Sequence, residues 1–139
     1  MGKLKRFGVS LNSDLLVKFD KLIDGKGYGN RSEAIRDLIR EELVSEEWKS
    51  GNKETVGVFS LVYDHHESDI SQLINNVQHN NLNIIRSSTH VHIDHHNCLE
   101  VIILKGNSKE IKKLTDQLSS TKGIKHGKLI MTSTGSGLT

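Results

Sequence analysis

Imidazole side chains gather around the only cysteine of the chain, in the run Thr89-His90-Val91-His92-Ile93-Asp94-His95-His96-Asn97-Cys98. In an extended strand alternate side chains share a face, so His90 and His92 are expected to lie side by side. A hairpin turning around His95 would place Cys98 across from His92, and Glu100 across from His90. One sheet face would then carry two imidazoles, a thiol and a carboxylate, while Val91, Ile93, Leu99 and Val101 would fill the other. This donor set predicts a transition-metal site.

The donors alone leave the metal open. Imidazole and thiolate ligands suit Zn(II) in a tetrahedron as well as Ni(II) or Cu(II) in a plane, and the usual affinity order favours copper. Glu100 is interpreted as a carboxylate that orients a ligand imidazole, the alternative being a strand charge facing water. The other histidines are interpreted as solvent or loop side chains, with His65 or His66 as candidates for a weaker secondary site: His65, His66, His95, His96 and His126.

Hydrophobic periodicity predicts a strand and two helices at the N-terminus. Residues 6–11 alternate, with Phe7, Val9 and Leu11 on one face. Asn12 and Ser13 are capping candidates for a first helix, and Asn30 caps a second helix in which Glu33 lies three residues further on.

A lone strand can neither pair its backbone nor bury its apolar face. We therefore expect two chains to pair residues 6–11 as an antiparallel ribbon. The polar face of that ribbon would present Arg6, Gly8 and Ser10, and it is narrow enough for a DNA major groove.

The rest of the chain predicts a ferredoxin-like βαββαβ order. The expected strands are 56–63, 82–93, 99–104 and 127–131, and the expected helices are 68–78 and 108–118. The fold class is thus α+β, with a dimeric βαα module at 1–48, a linker at 49–55, the second domain at 56–133 and a flexible tail at 134–139.

Composition sets broad limits. A chain of 139 residues with 35% hydrophobic content can build only a modest core, which favours self-association. The net charge of +2 is too small to diagnose nucleic-acid binding. A single cysteine cannot form an intramolecular disulfide, and no signal peptide or membrane-length apolar run is present in the sequence. We expect a cytoplasmic protein without a membrane partner.

The βαα module resembles the ribbon-helix-helix DNA-binding fold, and one family within it in particular. The run Gly27-Tyr28-Gly29-Asn30-Arg31-Ser32-Glu33-Ala34-Ile35-Arg36-Asp37 is similar to that of the nickel-responsive transcriptional regulators, the NikR family. The family's metal signature is a histidine ending the first helix of the metal domain, then His-x-His and a cysteine six residues later. His79, His90, His92 and Cys98 fill those positions.

The resemblance implies an ACT-like metal domain that holds one Ni(II) per chain in a square plane. His90, His92 and Cys98 would bind it with His79 from a neighbouring subunit of a homotetramer, a dimer of dimers. The helix supplies a separate reason: at about 100° per residue, His79 lies roughly opposite the apolar stripe of its helix. We also expect the ligand face of the sheet to be the one opposite the helices, where another subunit would dock.

For DNA, the resemblance implies groove contacts from Arg6 and Ser10, and Gly8 departs from the polar residue that is usual there. From the residues themselves, the helix start at Asn30, Arg31 and Ser32 offers N–H groups to a phosphate, or capping alone. Glu67 and Ser68 depart from basic residues that touch the DNA backbone in relatives, which leaves that contact in doubt.

Two acidic residues, Glu33 and Asp37, match positions that help bind a second, hard cation between the domains in the family. The alternatives are a capping box for Glu33 and an exposed helix acid for Asp37. Oxygen ligands one turn apart suit a hard cation when further ligands are added.

The predicted function is a nickel-responsive DNA-binding regulator that binds a palindromic operator and represses nickel uptake genes. The alternatives are a metal storage or delivery protein, and a regulator that senses another metal or an amino acid. An enzyme is not expected, since there is no protease-like helix motif or nucleophile elbow, and four protein ligands leave no open metal position.

Overall fold

The structure is a computed structural model that describes residues 2–139, with the side chain of Ser68 outside the described part. Contacts divide the chain into two units between Glu41 and Glu42. The elements in chain order are α1 Ser13–Gly25, α2 Arg31–Ser50, β1 Glu54–Asp64, α3 Ser68–Asn80, β2 Ile85–His92, β3 Asn97–Asn107, α4 Ser108–Ser119 and β4 Ile124–Met131. None of the helices within residues 2–139 is long and apolar enough to span a bilayer.

The helices of the first unit begin where the capping residues predict. The Asn12 side-chain oxygen accepts the N–H of Asp14 at 2.9 Å, and that of Asn30 accepts the N–H of Glu33 at 2.9 Å. After α1, Gly27 has φ +83°, a left-handed conformation that glycine adopts without steric cost. The prediction of two capped helices is confirmed.

The predicted strand at 6–11 is absent from the single chain, since residues 2–12 make no strand pairing within the described part. A strand needs a hydrogen-bonded neighbour, and the prediction assigned that neighbour to a second chain. The apolar side chains of this segment are correspondingly exposed, Phe7 by 72% and Val9 by 61%.

The second unit is a four-stranded antiparallel sheet of order β2-β3-β1-β4 with α3 and α4, which confirms the βαββαβ order. Its core lies on one sheet face and is built from both strands and helices, including Phe59, Leu61, Tyr63, Ile70, Ile74, Ile102, Leu104, Ile111 and Leu118. The other face is apolar yet open in the chain, with Ile103 40% and Ile130 57% exposed. The sheet therefore has one covered and one uncovered side.

Helix α2 continues to Ser50, which is further than the apolar stripe predicted. Trp48 explains the extension, because its side chain is only 2% exposed and its indole N–H donates to the carbonyl of Thr132 at 2.8 Å. The domain limits 1–48, 49–55, 56–133 and 134–139 stay predictions.

Candidate metal centre

The cross-strand register of the predicted ligands is confirmed. In the β2–β3 pair, His92 faces Cys98 and His90 faces Glu100. The Cys98 sulfur lies 3.4 Å from Nδ1 of His92. The rings of His90 and His92 have centroids 4.9 Å apart. The hairpin thus brings two imidazoles, the thiol and the carboxylate to one face.

The His92–Cys98 distance fits two neighbouring donors on one metal ion. With typical metal–nitrogen and metal–sulfur bond lengths, the two donor atoms would be about 3.1 Å apart at a right angle and about 3.6 Å apart in a tetrahedron. The observed 3.4 Å lies between these values. The pair is compatible with nickel and with zinc, so this distance does not choose the metal.

The thiol of Cys98 is fully buried, at 0% exposure. Burial first, and then the negative charges of Asp64, Glu100 and Asp94, raise the pKa of the Cys98 thiol. Because thiolate is the ligand form, a bound cation would supply the charge that favours deprotonation. A low-pKa reactive cysteine is not what this environment makes.

A hydrogen-bond network orients His90. Its Nδ1 lies 3.0 Å from Oε2 of Glu100 and 3.1 Å from the Tyr63 hydroxyl, which leaves Nε2 for a metal. Gln78 donates its side-chain N–H to Oε1 of Glu100 at 3.2 Å. Glu100 is 6% exposed, so the carboxylate predicted to orient a ligand is a buried hydrogen-bond acceptor.

Two members of this network, Tyr63 and Gln78, are not among the residues that the sequence singled out. Burial first, and then the charge of Glu100, raise the pKa of Tyr63 to about 12. The hydroxyl therefore stays protonated at neutral pH. A signal for Tyr63 exists in the chain, because it pairs with Cys98 across β1 and β3 and so shares its face.

The predicted position of the ligand face is wrong. Cys98 and Glu100 were expected opposite the helices, but they share the face of β3 that carries Ile102 and Leu104, both fully buried in the core. The period of two along a strand requires this, because all four residues have the same parity. His90 and His92 remain exposed since β2 is an edge strand.

His79 lies near the end of α3 and is exposed, as its helical angle predicts. The stripe residues Ile70 and Ile74 are buried, while Leu73 is 38% exposed. Neither group of converging metal donors within the described residues includes His79. Its role as a ligand from another subunit stays a prediction.

His65 lies closer to the thiol than its interpretation as a solvent or loop side chain implies. It is half-buried, and donor atoms of His65, His92 and Cys98 all lie within 4.8 Å of one another. The centroids of the His65 and His92 rings are 5.6 Å apart. One chain thus supplies three converging donors without His79.

The residues expected to contact DNA are exposed in the first unit: Arg6, Gly8, Ser10, Arg31 and Ser32, with Asn30 also at the helix start. A Cβ added at Gly8 would meet nothing within 4 Å, so packing within one chain does not require glycine there. Arg31 already forms a two-pronged ion pair with Asp20, with both N···O distances 2.8 Å. These DNA roles stay predictions.

The candidate carboxylates for a second cation are engaged with neighbours. Glu33 forms an ion pair with Arg36 at 3.4 Å. Asp37 accepts the Tyr28 hydroxyl at 2.8 Å, and this hydrogen bond is the main cause of its lowered pKa. Glu67 is exposed, whereas the side chain of Ser68 lies outside the described part.

Two family models match the chain. Residues 56–132 match the NikR C-terminal nickel-binding domain, and residues 5–46 match the ribbon-helix-helix protein, copG family. The chain belongs to the nickel-responsive regulator family, NikR. Membership confirms the α+β fold with an N-terminal ribbon-helix-helix module, and the expectation of a regulator that is not an enzyme.

Full-length relatives agree with the family models, and each is provisionally named a nickel-responsive regulator. One from Nitratidesulfovibrio vulgaris is 55% identical over 139 residues, covering 100% of both chains. One from Geobacter metallireducens is 53% identical over 138 residues, covering 99% of both. One from Thermococcus kodakarensis is 54% identical over 136 residues, covering 98% of this chain and 99% of the relative.

Among solved structures, the uncharacterized protein TM1266 from Thermotoga maritima is similar, with a TM-score of 0.50 and 16% identity. The match covers 56% of this chain and 96% of that one. At this identity the similarity concerns the fold alone.

Proposed function

We propose that this member of the NikR family is a DNA-binding transcriptional regulator that responds to Ni(II), with one ion per chain. His90, His92 and Cys98 would bind the ion together with His79 of the partner subunit. The observation that carries the proposal is the buried Cys98 thiol held 3.4 Å from His92, beside a His90 oriented by Glu100. The relatives' names support nickel as the metal.

The buried network supports a link between the ligands and α3. Gln78 precedes His79 on α3, and it donates to the same carboxylate that orients His90. Ser88 on β2 in turn donates to the Gln78 side-chain oxygen at 2.9 Å. When bound, nickel supplies a cation that joins donors from two chains. Glu100 and Gln78 would then hold the end of α3 and the ligand strand in one arrangement.

Two open apolar surfaces support a tetramer. The first unit exposes Phe7 and Val9, which suit pairing of two chains as a DNA-reading ribbon. The uncovered sheet face of the second unit, with Ile103 and Ile130, suits burial against another copy. Two ribbons on a dimer of dimers would read the two halves of a palindromic operator.

The biological role proposed is repression of nickel uptake genes in the cytoplasm when nickel is plentiful. By linkage, nickel must tighten DNA binding by the same factor as DNA tightens nickel binding. A second, hard cation at Glu33 and Asp37 would add to the DNA-bound state, although both carboxylates would first have to exchange their present partners.

Sensing of a metal that prefers a tetrahedron is the second candidate function. His65 favours it, because it completes a group of three converging donors with His92 and Cys98 inside one chain. Zinc bound there would not require His79 of the partner subunit. Simple storage or delivery is less favoured, since it leaves the ribbon-helix-helix module without a role.

The deciding experiment is an optical titration of metal-free protein with Ni(II), followed by operator selection and DNA binding with and without nickel. We expect thiolate-to-nickel charge transfer and planar ligand-field bands at one ion per chain. Cys98→Ala should lose these bands and high-affinity nickel binding but keep the folded ribbon dimer. His126→Ala, on an exposed histidine of β4, is the matched control and should bind as the wild type does.

Unchanged nickel affinity in Cys98→Ala would exclude the thiolate ligand. Equal DNA affinity of the nickel-free and nickel-loaded protein would exclude the switch. Tighter tetrahedral zinc binding, without planar nickel bands, would move the function to the second candidate.

A further inference from the structure

Three exposed imidazoles meet where the turn between β1 and α3 lies beside the β2–β3 hairpin. The centroid of the His66 ring is 5.5 Å from that of His95 and 5.4 Å from that of His96. The His95 and His96 rings are 4.9 Å apart. Each ring is therefore a neighbour of the other two, although the residues come from two separate loops.

Backbone hydrogen bonds hold the two loops together. The N–H of His65 donates to the carbonyl of His96 at 3.0 Å. In the hairpin turn, the Asp94 carboxylate accepts the N–H of His96 at 2.9 Å and that of Asn97 at 2.8 Å. The main chain below the imidazoles is thus fixed, while the exposed rings can rotate about their own side-chain bonds.

The ring separations match those of imidazoles that share a metal ion. With a metal–nitrogen bond of about 2.1 Å, two ligating rings have centroids about 4.5 Å apart at a right angle and about 5.2 Å apart in a tetrahedron. The three observed distances, 4.9 to 5.5 Å, need only small ring movements to reach this range.

An independent observation lies directly beside the rings. Donor atoms of Asp64, His65 and His66 lie within 4.8 Å of one another. Within residues 2–139, Nδ1 of His65 is buried and has no hydrogen-bond partner. A buried polar atom without a partner costs about 1–3 kcal/mol, so a nearby ligand would be favourable.

The local charge also favours a cation. The backbone N–H of His66 is the main cause of the lowered pKa of the Asp64 carboxyl. Hydrogen bonds from Asn97 and His96 lower the pKa of Asp94 to about 2. Both carboxylates are ionised at neutral pH, when the imidazoles are largely neutral and able to bind a metal.

We propose that His66, His95 and His96, with Asp64 beside them, form a second site for a divalent transition metal, distinct from the thiolate site. Its donors are neutral nitrogens and one carboxylate oxygen, and water fills the remaining positions. Such a set suits Ni(II), Zn(II) and Cu(II), and without a thiolate it binds more weakly than the first site.

The test is a calorimetric titration of untagged, full-length protein that already holds one Ni(II) per chain. Further Ni(II) should bind as a second, weaker equivalent that adds no thiolate charge-transfer band. The double variant His95→Ala, His96→Ala should weaken this equivalent at least about tenfold, since even the hydrogen-bond partners of metal ligands contribute 10- to 100-fold. His126→Ala is the matched control and should leave it unchanged.

Two further results keep this site separable from the thiolate site. Cys98→Ala should retain the weak equivalent, because the thiol is not among its donors. The double variant should keep the thiolate band and the melting temperature of the wild type, since its backbone hydrogen bonds remain. A wild type without a second equivalent, or an equal loss in His126→Ala, would overturn the proposal.

Discussion

The two units of the chain treat their apolar side chains in opposite ways. In the first unit, large hydrophobic side chains remain exposed along the N-terminal segment and both helices, among them Leu4, Phe7, Val9, Leu15, Val17, Leu38 and Ile39. In the second unit, one sheet face and two helices enclose a core whose members include Leu61, Ile102, Leu104 and Ile111, all at 0% exposure. The first unit needs a second chain to bury its apolar surface, whereas the second unit builds a core by itself.

The comparison separates stability from assembly. Burial of apolar area is the main stabilising contribution to folding, and only the second unit obtains most of it within one chain. Its remaining apolar surface is confined to the uncovered sheet face. Core residues should therefore control the stability of each chain, and exposed apolar residues should control association and, through it, DNA binding.

The largest effect is expected from the core of the second unit. Ile102→Ala should lower the free energy of unfolding by about 2–5 kcal/mol, because it leaves a cavity in a fully buried position. Chemical denaturation of nickel-free protein at several protein concentrations measures this loss.

The matched variant is on the adjacent residue. Ile103 points to the uncovered face and is 40% exposed, so Ile103→Asp should leave the chain folded and instead dissociate the tetramer in sedimentation. If Ile103→Asp unfolded the chain as Ile102→Ala does, the distinction between covered and uncovered faces would fail.

In the first unit, Val9→Asp should weaken operator binding by about 100-fold or more. The substitution places a carboxylate in the apolar face of the ribbon, and burial of an unpaired charge costs several kcal/mol. Fluorescence anisotropy with operator DNA measures the loss, and the nickel bands of the second unit should persist.

Ser10→Asp is the partner of that variant, since residue 10 lies on the polar face of the alternating segment. It should also weaken DNA binding, through repulsion of phosphate, but it should leave the dimer of the first unit intact. Cross-linking separates the two cases. Dissociation in both variants, or in neither, would contradict the assignment of the two faces.

Much of the second unit could be predicted from the period and spacing of residues. Alternation on both sides of a turn near His95 was enough to pair His92 with Cys98 and His90 with Glu100. The same parity also joins Cys98 to Ile102 and Leu104, and overlooking it led to the wrong assignment of the helix-covered face. Contacts that depend on where loops and helices pack, such as those of His65 and Gln78, leave no periodic signal in the sequence.

For the first unit the limit is different in kind. Its strand and its DNA-reading face depend on hydrogen bonds to another chain, so no arrangement of one chain can display them. The alternation at 6–11 predicts the pairing surface nonetheless, and the exposed Phe7 and Val9 agree with an incomplete core. His79 belongs to the same class, because its predicted role also requires a partner.

The smallest effect concerns the two tyrosines, one in each unit. The hydrogen bond to Asp37 raises the pKa of the exposed Tyr28, whereas burial first and then Glu100 raise that of Tyr63 to about 12. A folded-state pKa above the usual 10.0 means that the contribution of Tyr63 to stability is complete below pH 10.0 and is lost as the pH rises towards 12. In Tyr28→Phe, near-ultraviolet absorbance should show the remaining phenol ionising near pH 12, and adding Glu100→Gln should lower that midpoint without restoring the usual value. A midpoint near 10.0 in Tyr28→Phe would mean that Tyr63 is not enclosed beside His90 and Glu100, and the contrast between a closed second unit and an open first one would lose its support at the metal site.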